Sequence, residues 1–264
     1  MFCRIASVLL CFSVGTATAQ ETNSTVTWKG EAELGLVNTT GNTETENLNA
    51  RGSVVNERRR WRHSGTLDFA RVTDQEETTA RRFAMLAKTD YKFTERSYGF
   101  GVVTYEDDRF SGYEYQASVA VGYGRKLITH EDLILEGETG LGARRSEPDS
   151  ADTRDEAIVR GALNLDWKIS DAVAFVELFS VEAGEEITIT KSVTALKSQI
   201  AGNLASKITY TVRHASEVPA DTEETDTALA ITLVYSFRGE LRLSLLRSGC
   251  LMQSGPSDCV PPTA

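Results

Sequence analysis

Period-two alternation, repeated along almost the whole chain, restricts this sequence more than any other feature. From Val26 to Val37 one register carries Val26, Trp28, Ala32, Leu34 and Leu36, and the other carries Thr27, Lys29, Glu31 and Glu33. Side chains alternate across a strand, so the segment is a strand with one apolar and one polar face. The device recurs. Trp61, Leu67 and Phe69 oppose Arg62, Ser64, Thr66 and Asp68, and Tyr115, Ala117, Val119, Val121 and Tyr123 oppose Glu114, Gln116 and Ser118. Leu133, Leu135, Thr139 and Leu141 oppose Asp132, Glu136 and Glu138; Val159, Leu163, Leu165 and Trp167 oppose Arg160, Asn164 and Asp166; Ile208, Tyr210 and Val212 oppose Lys207, Thr209, Thr211 and Arg213. Weaker segments surround Leu48, Met85, Phe100, Phe175, Leu196 and Leu229, which brings the count to about twelve, an even number. Near Phe175 the pattern is imperfect, because Glu177 shares a register with Phe175 and Phe179. No helix-period segment interrupts the strands.

A soluble sandwich or lipocalin-like barrel also alternates. Two features favour a membrane barrel instead. "NERRR", "FTERS", "KISDA" and "GNLAS" read as tight turns, and between them lie longer segments such as "RRSEPDSADTRDE" and "HASEVPADTEETD". Short periplasmic turns and longer outer loops mark outer-membrane barrels. With the first strand starting at the periplasm, Trp28, Trp61, Tyr91, Phe93, Tyr98, Tyr123, Trp167, Tyr235 and Phe237 fall near the short-turn end, as an aromatic girdle would. The expected fold is all-β, an antiparallel up-and-down transmembrane β-barrel of about 12 strands over 26–237. The last lipid-facing row is then Leu229, Ile231, Leu233, Tyr235 and Phe237, ending at the interface, with the last strand pairing with the first because an open edge in hydrocarbon is costly.

The termini read differently. Arg4, the apolar run Ile5 to Val14 and Ala17-Thr18-Ala19 form a signal peptide over 1–19, followed by a short segment over 20–25. Cys11 follows the bulky Leu10, which argues against a lipoprotein. Residues 238–264 are expected to leave the barrel as a periplasmic tail holding Cys250 and Cys259, where either a disulfide or an unordered extension fits.

The chemistry is sparse. A net charge of -10 and a pI near 5.0 exclude a nucleic-acid partner. No catalytic, cofactor-binding or metal-binding residues are assigned. An outer-membrane hydrolase is the alternative, with Asp107, Asp108 and His214 converging at an acidic loop rim. No G-x-S-x-G is present, and His63 and His130 read as local polar residues. The polar face carries Lys29, Arg62, Lys88, Lys92, Arg160, Lys197, Lys207 and Arg213 with Glu31, Glu33, Asp68, Asp90, Glu114, Asp132, Glu136, Glu138 and Asp166. Nearly balanced charge in a narrow lumen favours cross-strand ion networks and a scaffold over an open pore. Asp74, Glu76, Glu77, Glu106, Asp107, Asp108, Asp149, Asp152, Asp155, Glu185, Glu186, Asp221, Glu223 and Glu224 gather on the outer loops with few balancing bases. Ordinary loop solubility accounts for them, and the alternative is that their summed field draws divalent cations.

Three stretches carry a resemblance: "VNTTGNTETENLNARG", "YEDDRFSGYEYQASVAVGYG" and "YTVRHASEVPADTEETDTALAITLVYSF". Over roughly Trp28 to Phe237 the chain resembles the bacterial family of salt-induced outer membrane proteins, catalogued as a domain of unknown function. The resemblance implies the outer membrane of a Gram-negative bacterium. An outer-membrane barrel would have lipid and lipopolysaccharide as surroundings, the barrel-assembly machinery as partner during biogenesis, and a role in envelope integrity as scaffold or narrow small-solute channel; the resemblance adds the link to osmotic or salt stress. It supplies no reaction.

Overall fold

A computed structural model describes residues 25–39, 45–74, 77–108, 113–148, 152–218 and 223–242. Twelve antiparallel strands run in sequence: β1 (Thr25–Thr39), β2 (Thr45–Glu57), β3 (Trp61–Asp74), β4 (Glu77–Lys92), β5 (Ser97–Asp108), β6 (Tyr113–Thr129), β7 (Leu133–Pro148), β8 (Arg154–Lys168), β9 (Val173–Ala183), β10 (Thr188–Ala201), β11 (Leu204–Ala215) and β12 (Thr225–Arg242). Each pairs with its sequence neighbours, and β1 pairs with β12, so the sheet closes into a barrel without an edge. Closure gives the facing edges of β1 and β12 a shared ladder from Thr25↔Arg242 to Leu34↔Leu233, where open edges in hydrocarbon would leave amides unsatisfied.

The expected faces hold, and the apolar one is outside. Leu141 is 66% exposed, and Leu34, Leu67, Val121, Leu163, Ile208 and Leu229 lie open on the same surface, while Glu33, Asp90, Glu136 and Glu138 are buried within. A water-soluble barrel would bury the first set. Along β3 the exterior is apolar or small from Trp61 to Phe69, save His63, which stacks on Trp61. That stretch spans about 20 Å once strand tilt is applied.

The tight connections are where the sequence placed them. Gly202 adopts φ 52° in the β10–β11 turn, a conformation that favours glycine. The Thr94 hydroxyl accepts from the Arg96 and Ser97 amides, and the Ser170 hydroxyl from those of Ala172 and Val173, fixing two more turns. The long connections differ from expectation. Only positions 75 and 76 separate β3 from β4, and most of "RRSEPDSADTRDE" is strand, because its residues continue the β7–β8 ladder from Ala143↔Ala157 to Ser146↔Arg154. The wall therefore stands taller than its apolar band.

The last strand also exceeds expectation. β12 continues past Phe237 to Arg242, pairing Arg238 with Lys29 and Arg242 with Thr25. The lipid-facing row reaches Phe237, and the hydrogen-bonded ladder runs five residues further. The signal segment over 1–19, the segment 20–24 and the cysteines Cys250 and Cys259 lie outside the described residues.

Candidate functional site

The lumen is the site, built from the inward residues of all twelve strands. On the β3–β7 wall, Arg62 bonds Asp90 at 2.6 Å and reaches Glu136 with two parallel bonds of 3.0 and 2.9 Å. Lys88 joins Asp90 at 3.1 Å and Glu138 at 2.5 Å. The Tyr98 hydroxyl donates at 3.0 Å to Glu136 and 2.8 Å to Glu138, and its ring lies under both cations, 5.1 Å from Arg62 and 5.2 Å from Lys88. Tyr98 was expected in the girdle. It is 3% exposed inside the lumen, because Ser97 and Gly99 take the outward register of β5.

Glycines make room for that ring. A Cβ on Gly124 would lie 2.3 Å from the Tyr98 ring, and one on Gly122 would lie 2.8 Å from Phe100 and 2.2 Å from the Thr139 carbonyl oxygen. Tyr98, Phe100, Val102 and Ala120 thereby form an apolar lining beside the charges. A second network occupies the β1 wall. Lys197 bonds Glu31 at 2.5 Å, Lys207 bonds Glu33 at 2.8 Å, and Arg51 bridges to Asp68 at 3.1 Å.

Toward the longer loops the networks cross the lumen. Arg213 on β11 bonds Gln116 on β6 at 2.5 Å, and Lys191 on β10 lies 3.7 Å from Glu106 on β5, which Arg82 also bonds at 2.8 Å. Arg160 meets Glu182 at 2.5 Å, while Arg144, 2% exposed, holds Glu156 and donates to the Ile187 carbonyl. Above them Tyr113, Ile187 and Ala215 pack together with Ile189 and Val218, joining β6 to β10 and β11 from across the barrel. Charged and apolar side chains thus span from wall to wall. At the opposite mouth a cavity of about 310 Å³ remains, lined by Lys168, Lys197, Gln199, Asn203, Leu204 and Ser236 among others. At its lip a 2.7 Å hydrogen bond from Lys168 holds the Asp171 carboxyl below the usual range.

Two expected lumenal residues lie elsewhere. A bulge between Tyr113 and Tyr115 takes Glu114 out of the alternation and leaves it exposed, and Asp132 belongs to the β6–β7 turn. Conversely, Arg51, Arg82, Arg144, Lys191, Glu106, Glu156 and Glu182 join the lumen unannounced. Glu106, Arg144, Glu156 and Lys191 sit near polar strand ends, whose composition resembles that of loops.

The hydrolase constellation does not assemble. Asp107 pairs with outward Phe83 on β5, Asp108 takes the inward register, and His214 faces outward on β11, across the barrel from β5. His214 bonds Thr225 at 2.9 Å, and His63 bonds Thr89 at 3.1 Å on the exterior. The acidic rim is more balanced than expected: Arg145 pairs with Asp155 at 2.6 Å, Arg154 with Glu186 at 3.1 Å, and Arg82 with Glu106 and Asp108. The side chains of Asp74, Glu76, Glu77, Asp149 and Asp221 lie outside the description. Around the exterior, Trp61, Tyr91 and Phe93 meet edge to face in series, with centroids 4.9 and 5.6 Å apart, near the short turns. A second aromatic set, Phe83, Tyr105 and Tyr115, lies at the other end of the band with centroids 6.4 and 5.8 Å apart.

Residues 32–237 match a family described as "Protein of unknown function, DUF481". The chain is 25% identical over 214 residues to "Uncharacterized protein YdiY" of Escherichia coli (strain K12), covering 79% of this chain and 83% of that one. Among solved structures, the NanC porin aligns at 12% identity and TM-score 0.48, covering 80% of this chain and 98% of that one. An outer membrane channel from Pseudomonas putida F1 aligns at 10% identity and TM-score 0.47, covering 86% and 100%.

Proposed function

The chain belongs to the family described as a protein of unknown function, DUF481, and we propose that this member is a closed scaffold barrel of the Gram-negative outer membrane. Its task in this reading is envelope integrity under osmotic or salt stress, and it carries no catalytic residue. The membrane location is supported by the outward apolar band between two aromatic sets and by the leader-like 1–19 segment. The stress link rests on resemblance to the salt-induced outer membrane proteins.

One observation carries the scaffold reading over the narrow channel: opposing walls touch. Arg213 with Gln116, Lys191 with Glu106, and Tyr113 with Ile187 and Ala215 occupy the cross-section that a solute would use. Conduction requires sites weak enough to leave. Here Arg62, Lys88, Arg144 and Arg213 are each held by two or more partners, which suits a cross-braced wall.

The test is planar-bilayer recording of refolded protein, with fluorogenic hydrolase substrates run alongside. The wild type is expected to be electrically silent and without turnover, and a triple variant Lys191→Ala, Arg213→Ala, Ile187→Ala to give current steps. Steady steps from the wild type would favour the narrow channel, and turnover the hydrolase.

A further inference from the structure

The exterior carries one row that does not belong in lipid. Glu177 on β9 pairs in register with Leu165 and Thr194, two residues from the Phe175–Trp167 pair that marks the aromatic level. It faces outward, like Leu163, Leu165 and Trp167 beside it, whereas inward Glu182 of the same strand meets Arg160. Two residues along a strand is about 6.6 Å, so the carboxylate sits inside the apolar band.

Its partners are also outward-facing. Ser192 donates at 2.6 Å to one carboxylate oxygen and Thr194 at 2.5 Å to the other. The whole outward row of β10 between the loop and Leu196 is Thr188, Thr190, Ser192 and Thr194, all hydroxyls, beside Phe179 and Val181 on β9 and Val212 on β11. Next to it, a Cβ on Gly161 of β8 would meet nothing within 4 Å, which leaves the surface shallow there. Ionisable groups inside a membrane are costly and mark contact or transport sites, and hydroxyl rows with small neighbours are what packed membrane segments use at their contacts.

We propose that this β9–β11 face is the contact between two copies of the chain. The complementarity is internal to the register row Glu177↔Thr194↔Tyr210, which runs from an acceptor on β9 through a hydroxyl on β10 to a phenol on β11. Two copies in one membrane share orientation and depth, so their two-fold axis lies along the membrane normal. An axis beside Thr194 sets each Glu177 against the β11 flank of the other copy, where the half-exposed Tyr210 supplies a donor, and not against its own image. The pairing removes the carboxylate from lipid without placing two like charges together.

The test is oxidative cross-linking in native membranes, with Cys250 and Cys259 replaced by serine. Leu196→Cys, on β10 beside the row, is expected to give a disulfide-linked dimer, and Val121→Cys on β6 of the far wall to give none. Adding Glu177→Leu should lower the Leu196→Cys dimer roughly tenfold, as loss of hydrogen bonds to a charged group would, while heat-modifiable mobility reports that the barrel still folds. Tyr210→Phe should lower it by a smaller factor. A folded Leu196→Cys barrel that stays monomeric overturns the proposal. So does cross-linking to a different protein, equal cross-linking at Val121→Cys, or a dimer unaffected by Glu177→Leu.

Discussion

Glu136 shows how much a single lumenal position depends on its partners. Alternation alone assigns it inward and makes Glu136→Gln look cheap, since an amide also suits a polar lumen. The structure gives it a two-pronged bond from Arg62 and a hydroxyl bond from Tyr98. Glu136→Gln should therefore cost about 2–3 kcal/mol, as a lost charge-assisted pair does, and Tyr98→Phe about 1–2 kcal/mol, both read from urea unfolding in detergent. Equal stability of Glu136→Gln and wild type would mean that water already screens the network. Glycines offer a sharper contrast at the same scale. A Cβ on Gly142 would lie 2.1 Å from the Val119 carbonyl oxygen, so Gly142→Ala must displace backbone, whereas a Cβ on Gly52 meets nothing within 4 Å. Gly142→Ala is expected to lower the unfolding midpoint clearly, and Gly52→Ala to leave it within about 0.5 kcal/mol of wild type. Parity can be read from sequence, but which cation reaches which anion cannot. Arg213 meets Gln116 across the barrel, a pairing with no local signature.

At the scale of the strand, inward and outward faces were legible wherever alternation ran unbroken, as in β1, β3, β7, β8 and β11. Legibility failed for two physical reasons. Bulges shift the phase by one residue, which is why Glu114 left the lumen, and polar strand ends resemble loops, which hid Arg144, Lys191 and Glu106. Leu135 stands two residues from the start of β7 and pairs with Leu165 near the aromatic level, while Leu141 lies farther along the same outward row. Leu141→Arg should cost about 2–4 kcal/mol, and Leu135→Arg, one step inside the aromatic level in the register row of Leu165 and Glu177, should cost less than that, measured by denaturant titration in lipid vesicles. The reverse order would move the midplane toward the short turns. Glu177 belongs to this scale as well. Its shared register with Phe175 and Phe179 was visible as an irregularity, and the strand kept its phase with the carboxylate outside, held by Ser192 and Thr194.

For the whole molecule the decisive element is the seam where the first and last strands meet. Ten register pairs join β1 to β12, from Thr25↔Arg242 to Leu34↔Leu233, and five of them lie beyond Phe237. The ring of Phe237 covers Gly30, whose Cβ would fall 2.1 Å from it, and the outward register runs one pair further to Trp28↔Gly239. The five pairs from Lys29↔Arg238 to Thr25↔Arg242 carry the seam past that aromatic to the end of the ladder, where water can replace a lost partner. Removing everything after Arg242 should leave assembly and the unfolding midpoint unchanged, and Cys250→Ser should do the same. Removing everything after Phe237 should still allow insertion, because the lipid-facing pairs survive, but it should lower the midpoint by loosening the end of the closing ladder. Heat-modifiable gel mobility reads insertion, and thermal unfolding in detergent reads the midpoint. If the shorter form fails to insert, the five terminal pairs lie within hydrocarbon, and the membrane must reach further down the barrel than the aromatic residues mark.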